Sequence, residues 1–154
     1  MPNAVLLENL FQGLKDKNHQ KMASCYHADA KFQDIAFKLH GKKQIHAMWH
    51  IIAESDLRAT FNILNVDDKV GTVDLIVDYT FRDTGRPVHN EIQSNFRFLD
   101  NLIIEHHDLC DARKWGLQAL GPIKGLISWL IPTTRRKKAS EIIDKFIAEH
   151  PEYA

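Results

Sequence analysis

Asp34 is the residue of this chain best placed to do chemistry. It closes the run Tyr26-His27-Ala28-Asp29-Ala30-Lys31-Phe32-Gln33-Asp34 and shortly precedes His40-Gly41-Lys42-Lys43-Gln44-Ile45. That puts it near the end of a half-buried strand, just ahead of an amphipathic helix. A carboxylate partly removed from water has its pKa raised and becomes a competent proton acceptor near neutral pH. A second polar pair lies between Leu102 and Leu109. Alternation there sets Ile104, His106, Asp108 and Cys110 on one strand face and Ile103, Glu105, His107 and Leu109 on the other. His106 and Asp108 are then same-face neighbours, a spacing in which a carboxylate can orient an imidazole for proton transfer. With Asp34 they form a candidate acid and base set.

Each of these residues also has a purely structural reading. Asp34 alternatively caps a turn or pairs with a lysine, and His106 with Asp108 alternatively marks a solvated strand end, with Asp108 or Asp111 capping the next helix. A register slip of one residue exchanges His106 for His107. His106, His107, Asp108 and Asp111 are all metal-ligand types, but no paired spacing singles them out, and no metal is expected.

The elements that must position these groups are set by periodicity. Leu7, Leu10, Phe11 and Leu14 fall on one face of a first helix, and Met22, Cys25 and Tyr26 continue helical spacing from an Asn18 suited to cap a second. Ala30 to Phe37 reads as a strand. Gly41 then breaks the chain before a third helix with Ile45, Met48, Trp49 and Ile52 on one face. Beyond Asp56 the period becomes two: Val73, Leu75, Val77, Tyr79 and Phe81 face one way, Asp74, Asp78 and Thr80 the other. Turn clusters at Asp67-Asp68-Lys69, Asp83-Thr84-Gly85 and Asp100-Asn101 separate four runs, about 57–66, 70–82, 88–99 and 102–109, as an antiparallel meander. The expected fold class is α+β: a curved antiparallel sheet wrapped around three N-terminal helices, with a pocket between the layers.

The order helix, helix, strand, helix, meander resembles the nuclear transport factor 2-like superfamily over about residues 5–112. That superfamily includes ketosteroid isomerases and SnoaL-like polyketide cyclases, and the best local match is to the isomerases. Tyr26, Asp29-Ala30 and Asp34, with His40-Gly41-Lys42-Lys43-Gln44-Ile45, look like the isomerase strand and helix start. The resemblance implies that Asp34 is the general base, that the His106 face looks into the cavity, and that the ligand-binding residues include Leu10, Tyr26, His40, Trp49, Tyr79, Ser94 and Cys110. It also puts Leu10 and Ser94 where the isomerases hold their oxyanion donors. Leucine donates nothing and serine is short, so steroid isomerisation itself is not expected.

After this domain, taken as 1–112, residues 113–154 form an extension expected to be helical and to pack on the same domain. Trp115, Leu117, Ala119 and Leu120 lead to Gly121-Pro122. An apolar run from Gly125 to Pro132 contains Trp129, and a last helix from near Thr134 buries Ile142, Ile143, Phe146 and Ile147. Trp129 beside Arg135-Arg136-Lys137-Lys138 also suits a membrane surface, because indole and basic residues favour that interface.

The chain has 154 residues, 20 basic and 20 acidic. One domain is therefore expected, with no long-range field for nucleic acid. Cys25 and Cys110 are read as free thiols, and with no leader-like N-terminus the expectation is a soluble cytoplasmic protein. Apolar residues on both faces of 57–66 suggest a homodimer. Two functions remain: a small-molecule isomerase, cyclase or dehydratase using Asp34 and no cofactor, or a noncatalytic module holding an apolar ligand or a protein.

Overall fold

The computed structural model describes residues 2–153. In chain order the elements are α1 (Pro2–Lys15), α2 (His19–Ala23), β1 (Tyr26–Gln33), β2 (Lys38–His40), α3 (Lys42–Ala53), β3 (Arg58–Val66), β4 (Val70–Phe81), β5 (Arg86–Leu99), β6 (Leu102–Leu109), α4 (Ala112–Leu120), α5 (Pro122–Leu130) and α6 (Pro132–Glu149), with a 3-10 turn at Pro151–Tyr153. One curved, unclosed sheet runs β2-β1-β6-β5-β4-β3. Leu7, Leu10 and Phe11 of α1 and Ile45, Met48 and Trp49 of α3 share a core with Val73, Leu75 and Val77. The period-two face of β4 is thus the inward one.

The sheet is mixed, not antiparallel. The meander β3 to β6 is antiparallel throughout, but β1 joins β6 in parallel, with Phe32 opposite His106. Tyr26 belongs to β1 rather than to the second helix. Asn18 does cap α2 by accepting from Lys21 N, but α2 stops at Ala23, and Cys25 carbonyl takes the Ile103 amide at the start of β6. The first strand also ends sooner than Phe37, because Asp34 turns the chain back into β2. In β6, Ile104 is an extra residue: Phe98 pairs with Ile103 and Arg97 with Glu105. This bulge buries Ile103 and yet leaves His106 and Asp108 inward and His107 outward.

The tail holds three helices, each of the last two opened by a proline at its first turn, Pro122 and Pro132. Gly121 takes φ 89° at the first of these corners, a conformation glycine adopts without strain. Arg86 and Thr84 side chains donate to the Gln118 and Ala119 carbonyls. At the far end α6 lays Ile143 into the main core. No described helix is long and apolar enough to cross a membrane.

The C-terminus is docked on α2 and α3 through histidines. His19 Nδ1 and His46 Nε2 lie 2.8 Å apart, the His19 and His50 rings stack at 3.8 Å, and His50 Nδ1 meets the Tyr153 hydroxyl at 2.9 Å. His150 stacks on Phe146. His46 and His50 are one helical turn apart, a spacing visible in the sequence. Among the described residues, however, no group of three or more such side chains is arranged to hold a metal ion. Burial, then the neighbouring histidines, push His19 and His46 below 6.5, against Glu152 in both cases and Glu54 for His19, with Lys42 also acting on His46. The folded state therefore binds fewer protons here than the unfolded chain, and this contribution to stability is lost as pH falls through 6.5. The expected outcome is a Tm that drops on acidification, with a shallower drop in a His19→Gln, His46→Gln double variant, measured by circular dichroism.

Candidate functional site

A continuous chain of hydrogen bonds runs through the core. Trp49 Nε1 lies 3.2 Å from the Tyr26 hydroxyl, which is 2.7 Å from His106 Nδ1. His106 Nε2 is 2.7 Å from Asp108 Oδ1, and Ser94 Oγ donates to the same oxygen at 2.6 Å. The donors fix the sense. An indole N–H can only donate, so Tyr26 accepts from Trp49 and gives its own proton to Nδ1, leaving Nε2–H to donate to Asp108. Four aromatic residues, Tyr26, Phe32, Trp49 and Phe96, surround the imidazole. His106 and Asp108 retain only 2% and 8% of their surface. Each polar group here is buried because its neighbour satisfies it.

Asp34 stands at the other end of this arrangement. Its Oδ1 accepts from the amides of Ala36 at 2.8 Å and Phe37 at 2.6 Å, so the turn-capping reading is realised. The group is nevertheless electrically part of the interior. Burial pushes its carboxyl up to about 6, the Asp108 charge adding to this while the two amides and His106 oppose it. Burial lifts the Tyr79 hydroxyl to about 12 and raises the Cys110 thiol, and both also sense the Asp34 charge. Tyr79 accepts from Trp115 Nε1 at 2.7 Å; its own proton is given to no acceptor among the described residues.

The fold thus brings Asp34, Tyr79, Ser94, His106, Asp108 and Cys110 together. Leu10, Tyr26 and Trp49 sit deeper and fill the space between helices and sheet, with almost no free surface. Asp34, Tyr79 and Cys110 are half-buried. His40 is not among them: it is exposed on β2 and borders an open outer groove with Lys31 and His107.

Two site residues escaped sequence reasoning. Arg136 donates to the carbonyls of Asp34, Ala36 and Phe37, and Arg135 to those of Ile35 and Ser128. These arginines clasp the Asp34 turn from α6. A recess of about 180 Å³ lies beside the clasp, lined by residues that include Phe37, Leu39, Arg136 and Ile143. The sequence offered a basic cluster but no sign that it reaches across about a hundred residues to carbonyl groups.

Two outcomes are expected for stability. Tyr26→Phe leaves the His106 and Trp49 nitrogens without a buried partner and is expected to cost about 2–4 kcal/mol, read from denaturant unfolding. Asp34→Asn acts oppositely. The folded carboxyl binds its proton more tightly than the 3.8 of a free one, so ionisation costs stability as pH rises from 3.8 through about 6. The amide that replaces the carboxyl keeps an acceptor oxygen for the turn, and the variant should melt a few degrees higher than the parent at neutral pH, the gain vanishing in acid.

The profile of the SnoaL-like domain family matches residues 7–106. No curated protein matches the chain. Among solved structures, a proposed polyketide cyclase from a Silicibacter species superposes with a TM-score of 0.67 at 16% identity, over 76% of this chain and 94% of that one. A ketosteroid isomerase-like protein from Catenulispora acidiphila, in complex with trimethylamine, gives 0.64 at 14% identity over 76% and 93%. An LEH-like epoxide hydrolase from M. tuberculosis gives 0.61 at 12% over 85% and 96%. At these identities the likeness is one of fold.

Proposed function

Because this chain belongs to the SnoaL-like domain family, we propose that it binds a small hydrophobic carbonyl compound and moves a proton on it, as an isomerase, cyclase or dehydratase does. The observation that carries this reading is the pairing of two inward carboxylates of unequal standing. Asp108 is tied by His106 and Ser94, while Asp34 is held near 6 beside it. A carboxyl held near 6 by burial is suited to accept a proton near neutral pH. Asp34 takes the proton from the carbon next to the carbonyl. Tyr79, with its hydroxyl proton free, donates to the oxygen where negative charge develops. His106 and Asp108 are positioning residues. The neighbours described as a cyclase and an epoxide hydrolase support a cage open to several chemistries, and a designed 17-OHP binder of similar fold supports an apolar occupant.

A noncatalytic binding module is the second reading, and one observation favours it. Neither family oxyanion position supplies a free donor: Leu10 is core, and the Ser94 hydroxyl is committed to Asp108. On either reading the protein is proposed to work in the cytoplasm as a homodimer paired through its sheet, with an expected solution mass of twice 17.8 kDa.

Hydrogen–deuterium exchange at the carbons flanking the carbonyl of apolar cyclic ketones, followed by NMR, separates the two. Catalysed exchange that rises through about pH 6 and falls roughly 100-fold or more in Asp34→Asn, with ketone binding retained, is the expected result. Tight binding with no exchange in the parent protein overturns the catalytic reading in favour of the module.

A further inference from the structure

Helix α5 is built inside out. Its buried residues are Gly125 and Ser128, while Ile123 is 78% and Leu130 62% exposed, and Leu126, Ile127, Trp129 and Ile131 are exposed as well. The inward face is small because α4 and α5 cross at backbone contact: a Cβ on Gly125 would lie 2.5 Å from the Gly116 carbonyl oxygen. At about 100° per residue, Ile123, Leu126, Ile127 and Leu130 form one outward stripe. Lys124 borders it on one side and Trp129 on the other, with the Arg113 guanidinium 5.4 Å over the Trp129 ring. Helices that face water carry the opposite pattern.

The charge around this stripe is one-sided. Between Ala112 and Ser140 the chain carries Arg113, Lys114, Lys124 and the run Arg135–Lys138, seven basic residues and no acidic one. Since the whole chain is neutral, the rest of it is left with a net charge of minus seven. Arg135 and Arg136 are spent on the Asp34 turn and Lys138 lies against Asp83, which leaves Arg113, Lys114, Lys124 and Lys137 exposed.

We propose that the α4–α6 corner docks on an anionic lipid bilayer, with α5 lying in the interface plane, its isoleucine and leucine side chains among the acyl chains and the cations at the headgroups. An exposed aliphatic stripe, a tryptophan at its edge, surrounding lysines and arginines, and no acid are the requirements of interfacial binding. Self-pairing through the same face would set the four exposed cations of one copy against those of the other. A nucleic acid would use the cations and leave the aliphatic stripe in water. The acidic remainder of the domain points the attachment the same way, being repelled from the surface that attracts the corner. The docked corner is also the element whose arginines hold the Asp34 turn, so a bilayer would meet the protein beside that turn. The docking itself does not depend on Asp34 acting as a base.

The test is co-sedimentation of the full chain with vesicles of phosphatidylcholine alone and of phosphatidylcholine mixed with phosphatidylglycerol, at low and high salt. The expected result is binding to the mixed vesicles, weakened by salt, with tryptophan emission shifted to the blue and the shift lost in Trp129→Phe. Leu126→Ser with Leu130→Ser, and separately Lys124→Glu with Lys137→Glu, should each lower partitioning about tenfold or more. Both pairs change exposed side chains, and an unchanged Tm verifies the fold. No binding, or equal binding to both vesicle types, overturns the proposal. So does a solution dimer that Leu130→Ser dissociates, which would give the stripe to a second copy.

Discussion

Asp108 sits almost out of water in a core of aromatic rings, and a carboxylate so placed is tolerated only where hydrogen bonds replace its hydration. Ser94 from β5 and His106 from β6 supply those bonds. Satisfying His106 in turn requires Tyr26 from β1, and satisfying Tyr26 requires Trp49 from α3. One buried charge thereby fixes the mutual placement of four elements. It also ties down the parallel β1–β6 seam, the part of the sheet with the greatest separation along the chain. Moving any of these elements by an ångström would leave a polar group alone in a dry interior, which costs more than an ordinary hydrogen bond contributes.

The relay has a direction, and its direction sets the character of the site. All donated protons point toward Asp108, and the half-buried Asp34 ionises within reach of that carboxylate's charge. Two amides of its own turn offset part of that cost, and burial keeps its carboxyl near 6. Guanidinium groups from α6 hold that turn in place. The C-terminal helices are therefore part of the site: Trp115 of α4 orients Tyr79 and Arg136 of α6 grips the Asp34 loop.

Elements whose burial is one-sided were legible in the sequence. The β4 alternation and the apolar faces of α1 and α3 have a period that only one secondary structure can use. His106 and Asp108 share a buried face, as alternation places them on one side of the strand, although the bulge at Ile104 shows that strict alternation fails just before them. What could not be read depends on long-range pairing. A lone Tyr26 is compatible with a helix end until Ile103 arrives to pair with it. The inversion of α5 is invisible until Gly116 and Gly125 are seen to cross, because glycines and isoleucines in one run do not say which face is covered. Arg135 and Arg136 stand in the sequence only as part of a basic run, since carbonyl acceptors leave no mark on sequence.

Proton transfer at this site requires Asp34 to share a dry interior with Asp108. Carbon-13 NMR titration of the Asp34 side-chain carboxyl tests this most directly. Titration near 6 is predicted, with a downward move when Asp108→Asn removes the neighbouring charge. A midpoint near the ordinary 3.8, unmoved by that substitution, would show a turn-capping carboxylate in water and contradict it.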